Sequence, residues 1–212
     1  MKSYVVLISG RGSNLQALLD ADLPGRCAAV ISNKADAAGL ELARQRGIET
    51  RVVDHRAFAS REAFDAALAA SIDACAPDLV LLAGFMRILG DAFVRRFGGR
   101  LLNIHPSLLP AFPGTRTHAQ ALAAGVRVHG CTVHFVTPSL DAGPIVIQGA
   151  VAVHEGDDEA TLAARVLAQE HVIYPAAARW FLQDRLRLGD DGRVRLTAAD
   201  YPAAVLTVPS AP

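Results

Sequence analysis

Cysteine is scarce. Cys27, Cys75 and Cys131 are the only three in 212 residues, odd in number and widely spaced. They form neither a disulfide framework nor a zinc pattern, so a cytoplasmic location is the simplest expectation. No apolar run approaches the ~20 residues of a membrane-spanning helix, so no membrane role is expected. The apolar run at residues 4–8 is too short for the core of a secretory signal and reads as a buried first strand. Neither sign of charge is in excess: 21 Lys plus Arg face 21 Asp plus Glu. That removes the bulk electrostatic argument for a nucleic-acid partner. Arg95 and Arg96 form a local basic pair, read more simply as a solvated helix face than as an anion site. Also missing are the Gly-x-Ser-x-Gly elbow of a serine hydrolase and the Gly-Lys-Ser/Thr of a nucleoside triphosphate loop. His55, His118, His129 and His134 show no metal-ligand spacing, so no metal site is expected.

What is present is an apolar half, 51% of the chain, enough to build a sizeable core. Strand-like runs alternate with helix-like segments. Strands are expected over residues 4–9, 27–32, 50–53 and 78–83. Helices are expected from residue 14 to 20, from 35 to 46 with Gly47 as breaker, and from 60 to 76 with Pro77 ending it. Phe64, Leu68 and Ile72 recur every four residues on the last of these. The unbroken run Leu79-Val80-Leu81-Leu82 implies burial on both faces. This order predicts an α/β, Rossmann-like fold: a mostly parallel sheet flanked by helices, with ligands at the carboxyl ends of the strands. The second half changes character. Two strands over residues 128–136 and 145–153 enclose a turn. A long helix follows over residues 157–184 with Pro175 inside it, then a hairpin over 186–196 and a loose tail.

Three places carry candidate chemistry. Gly10-Arg11-Gly12-Ser13-Asn14 follows a strand and opens a helix, which suits a phosphate approached by free backbone N–H groups. The alternative is a tight turn with Ser13 or Asn14 as the helix cap. Asn103 and His105 alternate on one strand, so both can face one site, ahead of a loop stiffened by Pro106 and Pro110. The alternative there is a buried histidine and a turn asparagine. Asp141, in Leu140-Asp141-Ala142-Gly143-Pro144, is either an ordinary turn residue or a carboxylate that sustains a charged imidazole. An amide, an imidazole and a carboxylate together can stabilise and reprotonate a tetrahedral intermediate. His134 reads as a core or edge histidine. Glu170, on the long helix, reads most simply as solvent-facing or ion-paired.

At these residues the chain resembles the phosphoribosylglycinamide formyltransferase family, the folate-dependent glycinamide ribonucleotide transformylases. The resemblance runs from about residue 4 to about residue 188. It rests on Leu7-Ile8-Ser9-Gly10-Arg11-Gly12-Ser13-Asn14-Leu15-Gln16-Ala17, Ile31-Ser32-Asn33-Lys34 and Leu82-Ala83-Gly84-Phe85-Met86-Arg87-Ile88-Leu89. It continues through Leu102-Asn103-Ile104-His105-Pro106-Ser107-Leu108-Leu109-Pro110, Val133-His134-Phe135-Val136 and Gln169-Glu170-His171. It implies a formyltransferase fold over residues 1–188 with an antiparallel C-terminal extension, then a hairpin and tail over 189–212.

The resemblance also implies roles. Asn103, His105 and Asp141 match the catalytic trio. Gly12, Ser13 and Asn14 would hold the ribonucleotide phosphate, and Glu170 the ribose hydroxyls. Arg61, Phe85, Met86, Arg87, Ile88 and Leu89 would line the folate site, together with Asn103, Val136, Thr137, Leu140 and Asp141. Arg11 and the pair Leu167-Ala168 stand at variable positions. No tightly bound cofactor is implied; 10-formyltetrahydrofolate is a consumed co-substrate, glycinamide ribonucleotide the other substrate, and a homodimer is left open. Related reactions weigh less. Formyl transfer to methionyl-tRNA would bring a further C-terminal domain, and hydrolysis of formyl-folate an N-terminal regulatory one. A nicotinamide oxidoreductase would show the last glycine of the dinucleotide fingerprint. A folate-binding relative without activity would not need the trio.

Overall fold

The computed structural model describes residues 1–189 and 191–198. Its centre is a seven-stranded sheet in the order β3-β2-β1-β4-β5-β6-β7. The strands are β1 (Ser3–Ile8), β2 (Arg26–Ser32), β3 (Thr50–Val52), β4 (Leu79–Leu82), β5 (Leu101–His105), β6 (Val128–Phe135) and β7 (Ile145–Ala152). The first five pair in parallel, and β6 and β7 are antiparallel additions at one edge. The helices are α1 (Ser13–Asp20), α2 (Ala38–Gln45), α3 (Arg61–Asp73), α4 (Asp91–Arg96), α5 (Thr117–Ala123) and α6 (Glu159–Leu182). A hairpin of β8 (Leu186–Leu188) and β9 (Val194–Leu196) makes a separate small sheet. The mostly parallel α/β architecture read from the sequence is thus borne out. From residue 199 the expected tail lies outside the described residues.

Strand alternation sorts the core into two layers. Tyr4, Val6, Ile8, Leu79, Leu81, Leu102 and Ile104 pack on one face with Leu15 and Leu18 of α1, Leu40 of α2, and Leu162 and Tyr174 of α6. Val5, Leu7, Val80, Leu82 and Leu101 pack on the other with Phe64, Leu68 and Ile72 of α3, and with Phe93 and Phe97 of α4 and its C-cap. Burying each such side chain contributes about 1.5–3 kcal/mol. Asn103 and His105 share the parity of Leu101. They continue the second face beyond the residue that α4 covers. Tyr174, fully buried, ties α6 to the sheet by donating its hydroxyl to the carbonyls of Leu82 (3.0 Å) and Leu102 (3.2 Å).

Several expectations are corrected at the element ends. Helix α2 starts at Ala38, not at residue 35, because Lys34 N–H donates to Ser32 Oγ in a turn first. Helix α3 ends at Asp73, and its start is capped by Ser60, whose Oγ accepts from Ala63 N–H. Helix α6 begins at Glu159, after a capping box between Asp158 and Thr161. Helix α4 carried no expectation beyond the helix face read at Arg95 and Arg96, and α5 carried none. Among the described residues, no helix is long and apolar enough to cross a membrane, and no three His, Cys, Asp or Glu side chains are grouped to hold a metal ion.

Candidate active site

The sheet order reverses between β1 and β4, and such a switch point opens a crevice at the carboxyl ends of the strands. A cavity of about 500 Å³ lies there. Residues 10–14 after β1, Gly84 and Met86 after β4, Ile104 and Pro106 around the end of β5, and Ala163, Leu167 and Glu170 of α6 line it. A groove of about 550 Å³ at the opposite ends of the strands meets Tyr4, Arg26 and Cys27 and holds none of the candidate catalytic or substrate-binding residues named above.

The glycine loop opens α1 without a side-chain cap. Gly12 is itself the N-cap, with φ 83°, which corrects the alternative that Ser13 or Asn14 caps the helix. A Cβ at Gly12 would also lie 2.8 Å from the Cα of Gly39. Only glycine meets both demands. Asn14 is buried and turned toward α6, where its Nδ2 donates to Glu170 Oε2 at 2.6 Å; its Oδ1 is buried without a partner. Glu170 is 7% exposed and its recorded partner is an amide. The solvent-facing or ion-paired reading of Glu170 is therefore corrected. Burial pushes its carboxyl up, and the Asn14 hydrogen bond opposes that shift.

On the next strands, Asn103 faces His134 across the β5–β6 ladder. Asn103 Nδ2 lies 3.2 Å from His134 Nε2. His134 Nδ1 lies 2.9 Å from the carbonyl of Phe135, and burial holds this imidazole's pKa down. The neutral ring therefore donates from Nδ1 and accepts from Asn103 at Nε2, which orients the amide and leaves its second N–H free. Sequence alternation reads His134 as a core or edge histidine. It is buried, and its role in orienting Asn103 was missed. The pairing register was the signal that could have found it.

Asp141 comes from the β6–β7 turn in a left-handed conformation, φ 49°. Its Oδ2 accepts Gly114 N–H at 2.8 Å and lies 3.6 Å from His105 Nδ1; its Oδ1 lies 3.9 Å from His134 Nε2. His105 Nε2 meets the Phe112 carbonyl at 3.2 Å. Both nitrogens of His105 thus face oxygen atoms, and the side chains of His105 and Asp141 are only 6% and 9% exposed. Asn103, His105 and Asp141, separated in the chain, meet in one cluster.

The residues expected around a folate lie on the loop after β4 and the turn after β6. Phe85, Leu89 and Val136 are half-buried against the second core layer. Met86, Ile88 and Leu140 expose 74%, 65% and 62% of their surface. Thr137 Oγ1 donates within its turn to the Ser139 carbonyl at 3.2 Å. Arg87 is exposed on the loop. Arg61, at the start of α3, is half exposed and 3.7 Å from Glu62. Three large apolar side chains facing solvent and two guanidinium groups beside them suit a flat ligand with an anionic end.

Comparison with known proteins gives one consistent result. The sequence profile of the formyl transferase family matches residues 2–178. The chain is 56% identical to phosphoribosylglycinamide formyltransferase of Escherichia coli (strain K12), over 89% of this chain and 91% of that one. It is 51% identical to trifunctional purine biosynthetic protein adenosine-3 of Bos taurus, over 89% of this chain but only 19% of that longer protein. Among solved structures, glycinamide ribonucleotide transformylase 1 from Symbiobacterium toebii superposes with a TM-score of 0.89 at 53% identity, covering 92% of this chain and 94% of that one.

Proposed function

The chain belongs to the formyl transferase family, and from that membership we infer both its reaction and the roles of its residues. It transfers the formyl group of 10-formyltetrahydrofolate to the amine of glycinamide ribonucleotide. The products are N-formylglycinamide ribonucleotide and tetrahydrofolate, in the de novo synthesis of purines. The observation that carries the site assignment is the convergence of Asn103, His105 and Asp141, with His105 and Asp141 3.6 Å apart.

The ribonucleotide phosphate sits on the N–H groups of Gly12, Ser13 and Asn14 at the start of α1, where the helix dipole favours an anion. Glu170, buried and held by Asn14, accepts from the ribose hydroxyls. The pterin lies against the loop of Phe85, Met86, Arg87, Ile88 and Leu89 and against Val136, Thr137 and Leu140. Arg61 and Arg87 meet the glutamate tail. The free amine then attacks the formyl carbon, and the formyl oxygen becomes an oxyanion. Asn103 donates its free N–H to that oxygen, and protonated His105 donates as well and serves as general acid. Asp141 sustains the imidazolium and assists the proton exchange that takes one proton from the amine and gives one to N10 of the leaving folate. One lost oxyanion donor costs roughly 3–4 kcal/mol of barrier, and a placed acid or base contributes about 10²–10⁴ in rate.

The test is a formyl-transfer assay on the purified chain with glycinamide ribonucleotide present and absent. Folate turnover that requires the ribonucleotide supports the transferase. Deformylation at the same rate without it would replace transfer by hydrolysis.

A further inference from the structure

We propose that Ser9 and Asp65 are positioning residues for the folate, clamping the two ends of the loop that walls its slot. This rests on the reading that residues 84–89 face the folate. That loop has no regular structure, and Met86 and Ile88 are too exposed to hold it by burial. Phe85 and Leu89 pack it in part against the core, and two buried polar side chains from distant elements hold its ends.

At the first end, Ser9 Oγ accepts Met86 N–H at 2.8 Å. A hydroxyl has one proton, and that of Ser9 is committed to Asn33 Oδ1 at 2.5 Å, so a lone pair is left facing Met86. Asn33 is 1% exposed, and its own amide and carbonyl both reach His55 Nδ1, at 3.2 and 3.1 Å. At the other end, Asp65 Oδ2 accepts Gly90 N–H at 2.7 Å. Gly90 is the N-cap of α4, which has no side-chain cap of its own. A Cβ at Gly90 would lie 2.9 Å from that oxygen, so glycine permits the approach. Asp65 is 7% exposed, and its Oδ1 is buried with no partner. A buried carboxylate with an unpaired oxygen is poor material for stability alone. It also stands one helical turn from Arg61 on α3, so its charge offsets part of the positive field at the folate mouth.

The experiment is steady-state kinetics with each substrate varied in turn. Asp65→Ala should raise the folate KM about fivefold to tenfold, the net loss of one ordinary hydrogen bond. The ribonucleotide KM should stay within about twofold. Asp65→Asn keeps an acceptor for Gly90 and removes the charge, so its folate KM should return to the parent value or fall below it. Ser9→Ala should raise the folate KM as Asp65→Ala does. An unchanged folate KM in Asp65→Ala, or an equal rise in both KM values, overturns the proposal. Ile88→Glu separates it from the underlying reading. If that variant leaves the folate KM unchanged, the loop is not the folate wall and both fail. If it raises the KM while Asp65→Ala and Ser9→Ala do not, the clamps alone are refuted.

Discussion

The two halves of the site are built from different material. Around the glycine loop, backbone does the work: a left-handed Gly12, an uncapped helix start and one buried amide–carboxylate pair open onto a cavity. Around β5 and β6 the work falls to side chains, with His105, His134 and Asp141 nearly closed to water and the half-buried Asn103 set against His134. Holding a phosphate needs many weak donors in a fixed arc, and no one of them dominates. Stabilising an oxyanion needs one or two donors aimed at a single atom, so each carries much of the effect. The first half should therefore fail gradually, and in binding. The second should fail abruptly, and in rate.

The largest effects should come from the side-chain half. Asn103→Ala and His105→Ala are each expected to lower kcat by about 10²–10⁴ while both KM values move little. Single-turnover rates near the parent value would break the contrast. Asp141→Asn preserves an acceptor for Gly114 N–H but removes the charge beside His105, and a loss of kcat on the order of 10² is expected. Next comes the backbone half. Glu170→Gln should raise the ribonucleotide KM roughly tenfold with kcat nearly kept, as befits one charged acceptor. Gly12→Ala should add a loss of about 1–3 kcal/mol in denaturant unfolding, from its positive φ and its contact with Gly39. If Glu170→Gln instead acted on kcat alone, the division of labour would be wrong. If the proposed role of Arg61 holds, Arg61→Glu should raise the folate KM several-fold, less at high salt.

The smallest effect is one of pH. Burial, reinforced by neighbouring His118, holds the pKa of His129 down to about 4 from 6.5. The unfolded chain binds that proton more readily, so the contribution is full above pH 6.5 and is lost as the pH falls toward 4. His129→Phe should flatten the stability profile over that window, measured by urea unfolding at several pH values; an unchanged slope would remove the effect.

Much of this was legible in the sequence, for identifiable reasons. The strands announce themselves because burial on both faces demands unbroken apolar runs such as Leu79-Val80-Leu81-Leu82. Helix α3 shows through Phe64, Leu68 and Ile72, all buried. Helices α4 and α5, of 6 and 7 residues, are too short to display a helical period; α4 shows only through the helix face read at Arg95 and Arg96, and α5 not at all. The pairing of Asn14 with Glu170 spans 156 residues. No local pattern encodes such a partner, so the local reading turned Glu170 outward. His134 was missed for a related reason: alternation fixes which face a strand residue takes, but only the register with β5 reveals what stands opposite. Ser9 and Asp65 act through backbone N–H groups, which any residue but proline supplies, so the sequence shows only the glycine at position 90 that Asp65 needs.

The shared parity of Leu101, Asn103 and His105 has a cost for the evolution of this chain. Inserting one residue early in β5 would send the amide and the imidazole to the α6 side and turn Leu102 and Ile104 to the face where Asn103 and His105 now meet His134 and Asp141. A length change inside β5 would need a bulge to restore that parity, of the kind the sheet carries between Tyr4 and Val5 and between Val133 and His134.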